Sequence, residues 1–126
     1  MGFLPEDDVR YLQNKKFEYR EVENGSQKGL IIKAFPLPEE RYDAPNADLL
    51  ILIPPGYPDV PPDMFYLLPW VHLVGKSGWP PRADQAVRFD GQRWQRWSRH
   101  SREWRPGTDG IWTMLKRVVT ALEVAA

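Results

Sequence analysis

PPGYPDVPP, residues 54–62, decides the fold, because five of its nine residues are proline. Proline fixes φ and has no N–H, so this stretch continues neither a strand nor a helix and predicts a rigid turn. The runs on either side, DLLILI at 48–53 and DMFYLL at 63–68, are apolar and of strand length. The first does not alternate, which is typical of a central strand buried on both faces. The sequence therefore predicts two neighbouring strands joined by a shaped connection.

A hairpin is predicted upstream of this pair of strands. Residues 17–23 alternate between apolar and polar side chains, and residues 30–35 are apolar and β-branched. The segment 24–29 between them begins with Asn-Gly and predicts a turn. Downstream, residues 69–91 are rich in proline and glycine, which predicts a long irregular loop.

A helix is predicted at each end of the chain. Residues 5–16 open with proline and three acidic residues, which suit the first turn of a helix. In residues 109–124 apolar side chains recur at helical spacing, with Thr108 or Asp109 as the expected N-cap. We therefore predict a single α+β domain over residues 1–126: an N-terminal helix, a four-stranded antiparallel sheet, a long active-site loop and a C-terminal helix.

The composition excludes several classes of protein. The 126 residues contain no cysteine, which excludes disulfides, a thiolate nucleophile and cysteine-ligated metal. His72 and His100 are the only histidines, so we expect no metal site and no cofactor. Basic and acidic residues number 17 each, so no chain-wide charge attracts nucleic acid or a membrane surface. No apolar run reaches about 18 residues, and the first residues lack the pattern of a signal peptide, so we expect a soluble cytoplasmic protein.

The segment 88–105 is rich in arginine and tryptophan. It holds six arginines and three tryptophans against two acidic residues. Such interleaving suits single-stranded nucleic acid, because cations bind phosphate and aromatic rings stack on bases. Because the chain as a whole is not basic, we favour the other interpretation, in which the tryptophans pack inward and the arginines are solvated.

Ser98, His100 and Ser101 are candidates for nucleophilic chemistry. A serine hydroxyl needs a neighbouring base, and the Ser-x-His spacing can place a hydroxyl and an imidazole on one side of an extended segment. Ser98 is the first candidate nucleophile, Ser101 the alternative, and His100 the base. Asp109 is a candidate for the group that orients this base. Capping and exposed polar roles remain open for all of them.

Three features together resemble the ubiquitin-conjugating enzyme fold. The first is YPDVPP at 57–62, and the second is His72, ten residues after Pro62, where that family has a His-Pro-Asn motif. The third is Trp104-Arg105-Pro106, which matches the Trp-x-Pro before the second helix. Three segments add to this resemblance, namely YPDVPPDMFY, WSRH and WRPGTDG. On these segments the chain resembles, over about residues 5–124, a bacterial branch of the fold, the prokaryotic ubiquitin-conjugating-like family E.

The resemblance implies a place in ubiquitin-like conjugation. A ThiF-like adenylating enzyme would activate a ubiquitin-like protein, and this domain would accept it and pass it to a target. A JAB-type metallopeptidase is a further implied partner, and some such gene sets are linked to antiphage defence. The expected contact residues are Tyr57, Pro61, Trp97, Arg99 and Trp104.

The chain departs from the family at its reactive centre. The family's cysteine would lie near Arg96 and Trp97, and none is present, which excludes a thioester. His72 is followed by Leu73-Val74, so the asparagine that supports a developing oxyanion is not matched. Three functions remain: a transferase that forms a serine oxyester, a non-catalytic module that binds the ubiquitin-like protein or its activating enzyme, and a nucleic-acid binder.

Overall fold

The computed structural model describes residues 2–100 and 103–126, which form two helices and one antiparallel sheet of six strands. The strands lie in the order β1-β2-β3-β4-β6-β5. Neither helix of this part of the chain is long and apolar enough to cross a membrane. The elements are α1 Glu6–Asn14, β1 Tyr19–Asn24, β2 Gln27–Pro36, β3 Asn46–Ile53, β4 Phe65–Leu68, β5 Gln85–Phe89, β6 Gln92–Trp97 and α2 Ile111–Val124.

The sheet has six strands where the sequence analysis predicted four. The added pair is the hairpin β5–β6, which takes the end of the predicted loop 69–91 and the start of the Arg/Trp segment. Its turn is Asp90-Gly91, and both residues have positive φ, 52° and 76°. Asp-Gly is a preferred pair for a two-residue hairpin turn, because both positions need positive φ. The sequence therefore contains a local signal for this hairpin, and the prediction of an irregular loop over residues 69–91 is wrong for its last part.

Two predicted boundaries also change. The turn between β1 and β2 contains only Gly25 and Ser26, so β2 begins earlier than predicted. Helix α2 begins at Ile111, and neither Thr108 nor Asp109 is its N-cap. The Ile111 N–H instead donates to Asp8 Oδ1 at 3.1 Å. A carboxylate from α1 thus satisfies one of the free amides at the start of α2.

The helices cover one face of the sheet and form the main core with it. Strand β3 shows how both faces are used, because Leu49 and Ile51 belong to this core while Leu50 lies in a second cluster. Trp97 has no exposed surface and stacks on Phe65, with ring centroids 5.4 Å apart. The expectation that Trp97 offers a contact surface is therefore wrong: the indole is a core side chain.

The β5–β6 hairpin curls over the second face of the sheet. A Cβ atom on Gly29 of β2 would lie 2.6 Å from Phe89 Cζ, so this site has no space for a side chain. Asp90 also pairs with Arg20 of β1 across 3.8 Å. The hairpin thereby helps to bury the second cluster, which explains why the run at 48–53 does not alternate. Its buried members are Ile31, Leu50, Tyr66, Phe89 and Trp94.

Candidate active site

The backbone of Ser98 is held in place directly after β6. The preceding Trp97 is anchored in the core, and the Ser98 N–H donates to the Arg82 carbonyl at 3.0 Å. Arg99 Nη1 donates to the Ser98 carbonyl at 3.1 Å, and Arg99 Nη2 donates to the Pro81 carbonyl at 2.9 Å. Because the backbone N–H and the carbonyl of Ser98 are both hydrogen-bonded, the position of its Cα and Cβ atoms is fixed.

Ser98, His100 and Asp63 form a line of hydrogen bonds. Ser98 Oγ lies 3.2 Å from His100 Nε2, and His100 Nδ1 lies 2.6 Å from Asp63 Oδ1. The pairing of β4 with β6 brings Asp63 close to Ser98 and His100. Phe65 pairs with Trp97, so Asp63, two residues before Phe65, lies next to the segment that follows Trp97. The side chains of His100 and Asp63 are 54% and 60% exposed, so water reaches the group.

This order of groups fixes the roles of the two imidazole nitrogens. Asp63 can only accept, so it selects the tautomer of His100 that carries its proton on Nδ1. Nε2 then has a free lone pair, which accepts the hydroxyl proton of Ser98. A carboxylate, an imidazole and a hydroxyl in this order are the parts of a base-activated nucleophile.

Asp109 has a different role from the one predicted. It accepts hydrogen bonds from the Arg105 N–H at 2.7 Å, from Arg105 Nη2 at 3.1 Å and from Thr113 Oγ1 at 3.1 Å. These bonds, first among them those from Arg105, hold the pKa of Asp109 below its ordinary value. Asp109 therefore shapes the turn before α2, and the carboxylate beside His100 is Asp63.

His72 belongs to a separate cluster. Its backbone N–H donates to Asp43 Oδ1 at 2.9 Å, and its Nδ1 lies 3.3 Å from Asp43 Oδ2. One ring face stacks on Trp79, with centroids 3.9 Å apart. Within residues 2–100 and 103–126, no hydrogen bond or ring contact joins His72 to Ser98 or His100. The structure does not bring His72 into the same group as the hydroxyl.

A cleft of about 980 Å³ opens beside this group, and Asp63 and His100 both line it. Its size suits a ligand of several tens of atoms or a short stretch of peptide. Aromatic and cationic side chains share the lining, namely Phe65, Trp104, Trp112, Arg99, Arg105, Lys116 and Arg117. Asp63, Glu103 and Asp109 add acidic groups to the same lining. Ser98 does not line the cleft itself; its hydroxyl lies 3.2 Å from Nε2 of His100, which does, so the cleft offers space beside the imidazole.

A comparison with models of protein families shows which family the sequence belongs to. Residues 4–125 match the family described as prokaryotic E2 family E. The chain belongs to this family. Comparisons with curated proteins and with solved structures give no match. The E2-like family indicates a bacterial role related to ubiquitin-like conjugation, with a ubiquitin-like protein and an activating enzyme as general partners.

In this E2-like chain, two predicted contact residues join the proline-rich turn to α1 and to the cleft. The Tyr57 hydroxyl donates to Asp8 Oδ2 at 2.5 Å, and burial raises the pKa values of both groups. The Tyr57 ring lies 6.4 Å from the ring of Trp104, whose indole N–H donates to the Pro58 carbonyl at 2.8 Å. Pro61 lines a smaller cleft of about 260 Å³ that also includes Asp63. These contacts give Tyr57 and Trp104 a structural role beside any role in binding.

Two further predictions, that Ser101 is an alternative nucleophile and that the site holds no metal or cofactor, are not tested by the structure. Ser101, the alternative nucleophile, lies outside the described residues. In the described part of the chain, no three or more histidine or acidic side chains are grouped so that they could hold a metal ion. The expectations of no metal and no cofactor stay as predictions.

Proposed function

We propose that this E2-like chain accepts a ubiquitin-like protein as an ester on Ser98 and passes it to a target. The observation that carries the proposal is the hydrogen-bonded series Ser98–His100–Asp63, with separations of 3.2 and 2.6 Å. This chain belongs to an E2-like family but contains no cysteine, and the series supplies a hydroxyl with a neighbouring base in its place. A ThiF-like adenylating enzyme is the proposed donor.

The loading step uses the C-terminal carbonyl of the ubiquitin-like protein in its activated form. Ser98 Oγ forms a bond to this carbon, and the hydroxyl proton moves to His100 Nε2. The bond to the activating group breaks, and that group leaves with the electron pair. His100 then gives the proton to the departing group or to water, so that Nε2 is free again for the transfer step. Asp63 stabilises the imidazolium that forms at His100, since its carboxylate already accepts from Nδ1.

The transfer step repeats this chemistry in reverse. An acceptor hydroxyl or amine attacks the ester carbon, its proton moves to His100 Nε2, and Ser98 Oγ leaves and regains a proton. An oxyester is less reactive toward amines than a thioester, so the acceptor must be well positioned. The open cleft beside His100 offers space for that acceptor. A JAB-type metallopeptidase that cleaves the final conjugate, a cytoplasmic location and a role in defence against phage remain parts of the proposal.

Intact mass spectrometry tests the proposal directly. The protein is incubated with ATP, its activating enzyme and the ubiquitin-like protein, and a covalent adduct is expected that survives thiol and is cleaved by base. Ser98→Ala should abolish the adduct, whereas Ser77→Ala, at an exposed serine outside the cleft, should retain it. An adduct that persists in Ser98→Ala and disappears in Ser101→Ala would move the ester to Ser101. No adduct from a charged activating enzyme would refute the transferase.

A binding module is the second candidate function, and the absence of cysteine favours it. Its contact surface would use exposed apolar side chains such as Trp79 and Val74. A measurable complex with the ubiquitin-like protein or the activating enzyme, without an adduct, would establish it. Nucleic-acid binding has less support, because Trp94 and Trp97 are buried and offer no ring surface for base stacking.

A further inference from the structure

We propose a second activity for Ser98: hydrolysis of small activated carboxylic esters with an apolar acyl group, without an activating enzyme or a ubiquitin-like protein. The proposal shares the nucleophile of the proposed function and rests on it only in that respect. It needs a reactive hydroxyl, a base, access for water and space for the acyl group. Each of these four requirements corresponds to a feature of the described residues.

The first two requirements are met by geometry that exists before any substrate binds. Ser98 Oγ is 3.2 Å from His100 Nε2, within the reach of a general base, and such bonds shorten when substrate binds. The Ser98 backbone is held by the Arg82 carbonyl and by Arg99, so little reorganisation is needed. Nothing in this arrangement selects for a protein substrate.

Acylation balances with these residues and the ester alone. Ser98 Oγ bonds to the acyl carbon while its proton passes to His100 Nε2. The bond between the acyl carbon and the alcohol oxygen breaks, and the alcohol leaves with the proton from His100. An acidic alcohol leaves instead as its anion, and His100 then gives its proton to solvent water, so that Nε2 is free again before deacylation. The products of this half-reaction are the free alcohol and an acyl group esterified to Ser98.

Deacylation needs water at the acyl carbon, and the exposure of the site supplies it. With 54% of the His100 side chain exposed, a water molecule can approach Nε2 once the alcohol has left. The water oxygen bonds to the acyl carbon, its proton moves to Nε2, and Ser98 Oγ leaves and takes that proton back. The sum is ester plus water to acid plus alcohol, with the enzyme unchanged.

The lining of the cleft determines which acyl groups are accepted. The half-buried indoles of Trp104 and Trp112 give it aromatic surface. Phe65, Met114 and Ala121 form its buried floor, with 1%, 2% and 7% of their surface exposed. Apolar acyl chains of a few carbons gain contact there, whereas acetate leaves most of the about 980 Å³ filled with water. We therefore expect p-nitrophenyl butyrate to be a better substrate than p-nitrophenyl acetate.

Two probes test the proposal on the full chain. A fluorophosphonate should label one residue, and peptide mass spectrometry should place the label on Ser98. The protein should also release p-nitrophenol from the butyrate ester at a steady rate. Ser98→Ala should lose both the label and the catalysed release, while Ser77→Ala should retain both. Equal unfolding curves for Ser98→Ala and the parent protein would show that the loss is chemical.

Three results would overturn the proposal: no labelling of the folded protein, a label placed on Ser101, or release of p-nitrophenol that persists in Ser98→Ala. The last result would assign the release to a surface imidazole or amine. Failure of this proposal is distinguishable from failure of the transferase. Ester hydrolysis without a ubiquitin-like adduct leaves this proposal standing alone, and an adduct without ester hydrolysis leaves only the transferase.

Discussion

His72 and His100, the two histidines of the sequence, each lie beside an aspartate. His72 Nδ1 is 3.3 Å from Asp43 Oδ2, and His100 Nδ1 is 2.6 Å from Asp63 Oδ1. The difference lies in the third partner. His72 stacks one ring face on Trp79, whereas His100 presents Nε2 to the hydroxyl of Ser98.

This comparison shows that an Asp–His pair does not by itself indicate a reactive centre. At His72 the carboxylate also accepts the backbone N–H of the same residue, so the pair stabilises the loop. At His100 the carboxylate orients a ring whose other nitrogen faces a hydroxyl. The resemblance to the E2 family points to His72, whereas the hydrogen bonds to a hydroxyl and a carboxylate are found at His100, the base of the proposed function.

The largest expected difference between the two histidines is in the reactivity of Ser98. His100→Ala should lower the rate of fluorophosphonate labelling by about 10²–10⁴-fold, because the general base is lost. His72→Ala should leave that rate close to the parent value, because its contacts are with Asp43 and Trp79. The rates are measured by intact mass over time. Equal losses in the two variants would erase the distinction between the pairs.

Substitution of Asp63 should lower activity more than substitution of Asp43, but the difference should be smaller than that between the two histidines. Asp63→Asn should lower kcat for the butyrate ester by roughly 10-fold or more, with KM little changed, because Asp63 acts by orienting the base through its hydrogen bond with Nδ1. Asp63→Glu should recover part of this loss. Asp43→Asn, the matched control, should leave kcat unchanged. A change in KM alone for Asp63→Asn would assign it to substrate binding, contrary to the positioning role.

A stability experiment tests the structural role assigned to the His72 cluster. Trp79→Ala should lower the free energy of unfolding by about 1 kcal/mol, because the ring stacks on His72 and also lies 5.0 Å from the ring of Trp70. Val74→Ala, at an exposed position of the same loop, should change it by less than about 0.5 kcal/mol. Urea unfolding gives both values. An undisturbed Trp79→Ala variant would show that the His72 cluster does not hold the loop.

Asp109 is hydrogen-bonded to Arg105 and Thr113, and this structural role predicts a pH-dependent contribution to stability. Hydrogen bonds from Arg105 hold the pKa of Asp109 below its unfolded value, so its carboxylate stabilises the fold above about pH 4. That stabilisation is lost as the pH falls through the lower pKa of the folded state. The difference in unfolding free energy between the parent protein and Asp109→Asn should therefore be larger at pH 7 than at pH 3. An equal difference at both pH values would contradict this assignment.

The sequence predicted the elements whose signals are local. Both helices and strands β1 to β4 follow from hydrophobic spacing, and Ser98 and His100 could be paired because they are two residues apart. The hairpin β5–β6 also has a local signal, Asp90-Gly91, but the glycines and prolines before it masked the alternation of its strands.

Asp63 could not be selected from the sequence alone. It reaches His100 across 37 positions of the chain, and only the register of β4 against β6 brings them together. Since β6 was not predicted, that register was not available. Trp97 shows the same limit, because the tryptophans of the Arg/Trp segment look alike until the sheet assigns each one to a face.

The capping of α2 by Asp8 has a consequence for the synthesis of the chain. Asp8 leaves the ribosome 103 residues before Ile111, the residue whose N–H it accepts. At about 5–20 residues per second, this interval is roughly 5–20 s. A nine-residue helix such as α1 is too short to persist alone in water, where about 12–15 residues are needed. The contact between the first helix and the last one therefore cannot form until synthesis has passed residue 111, so α1 is without this contact for most of the time the chain is being made.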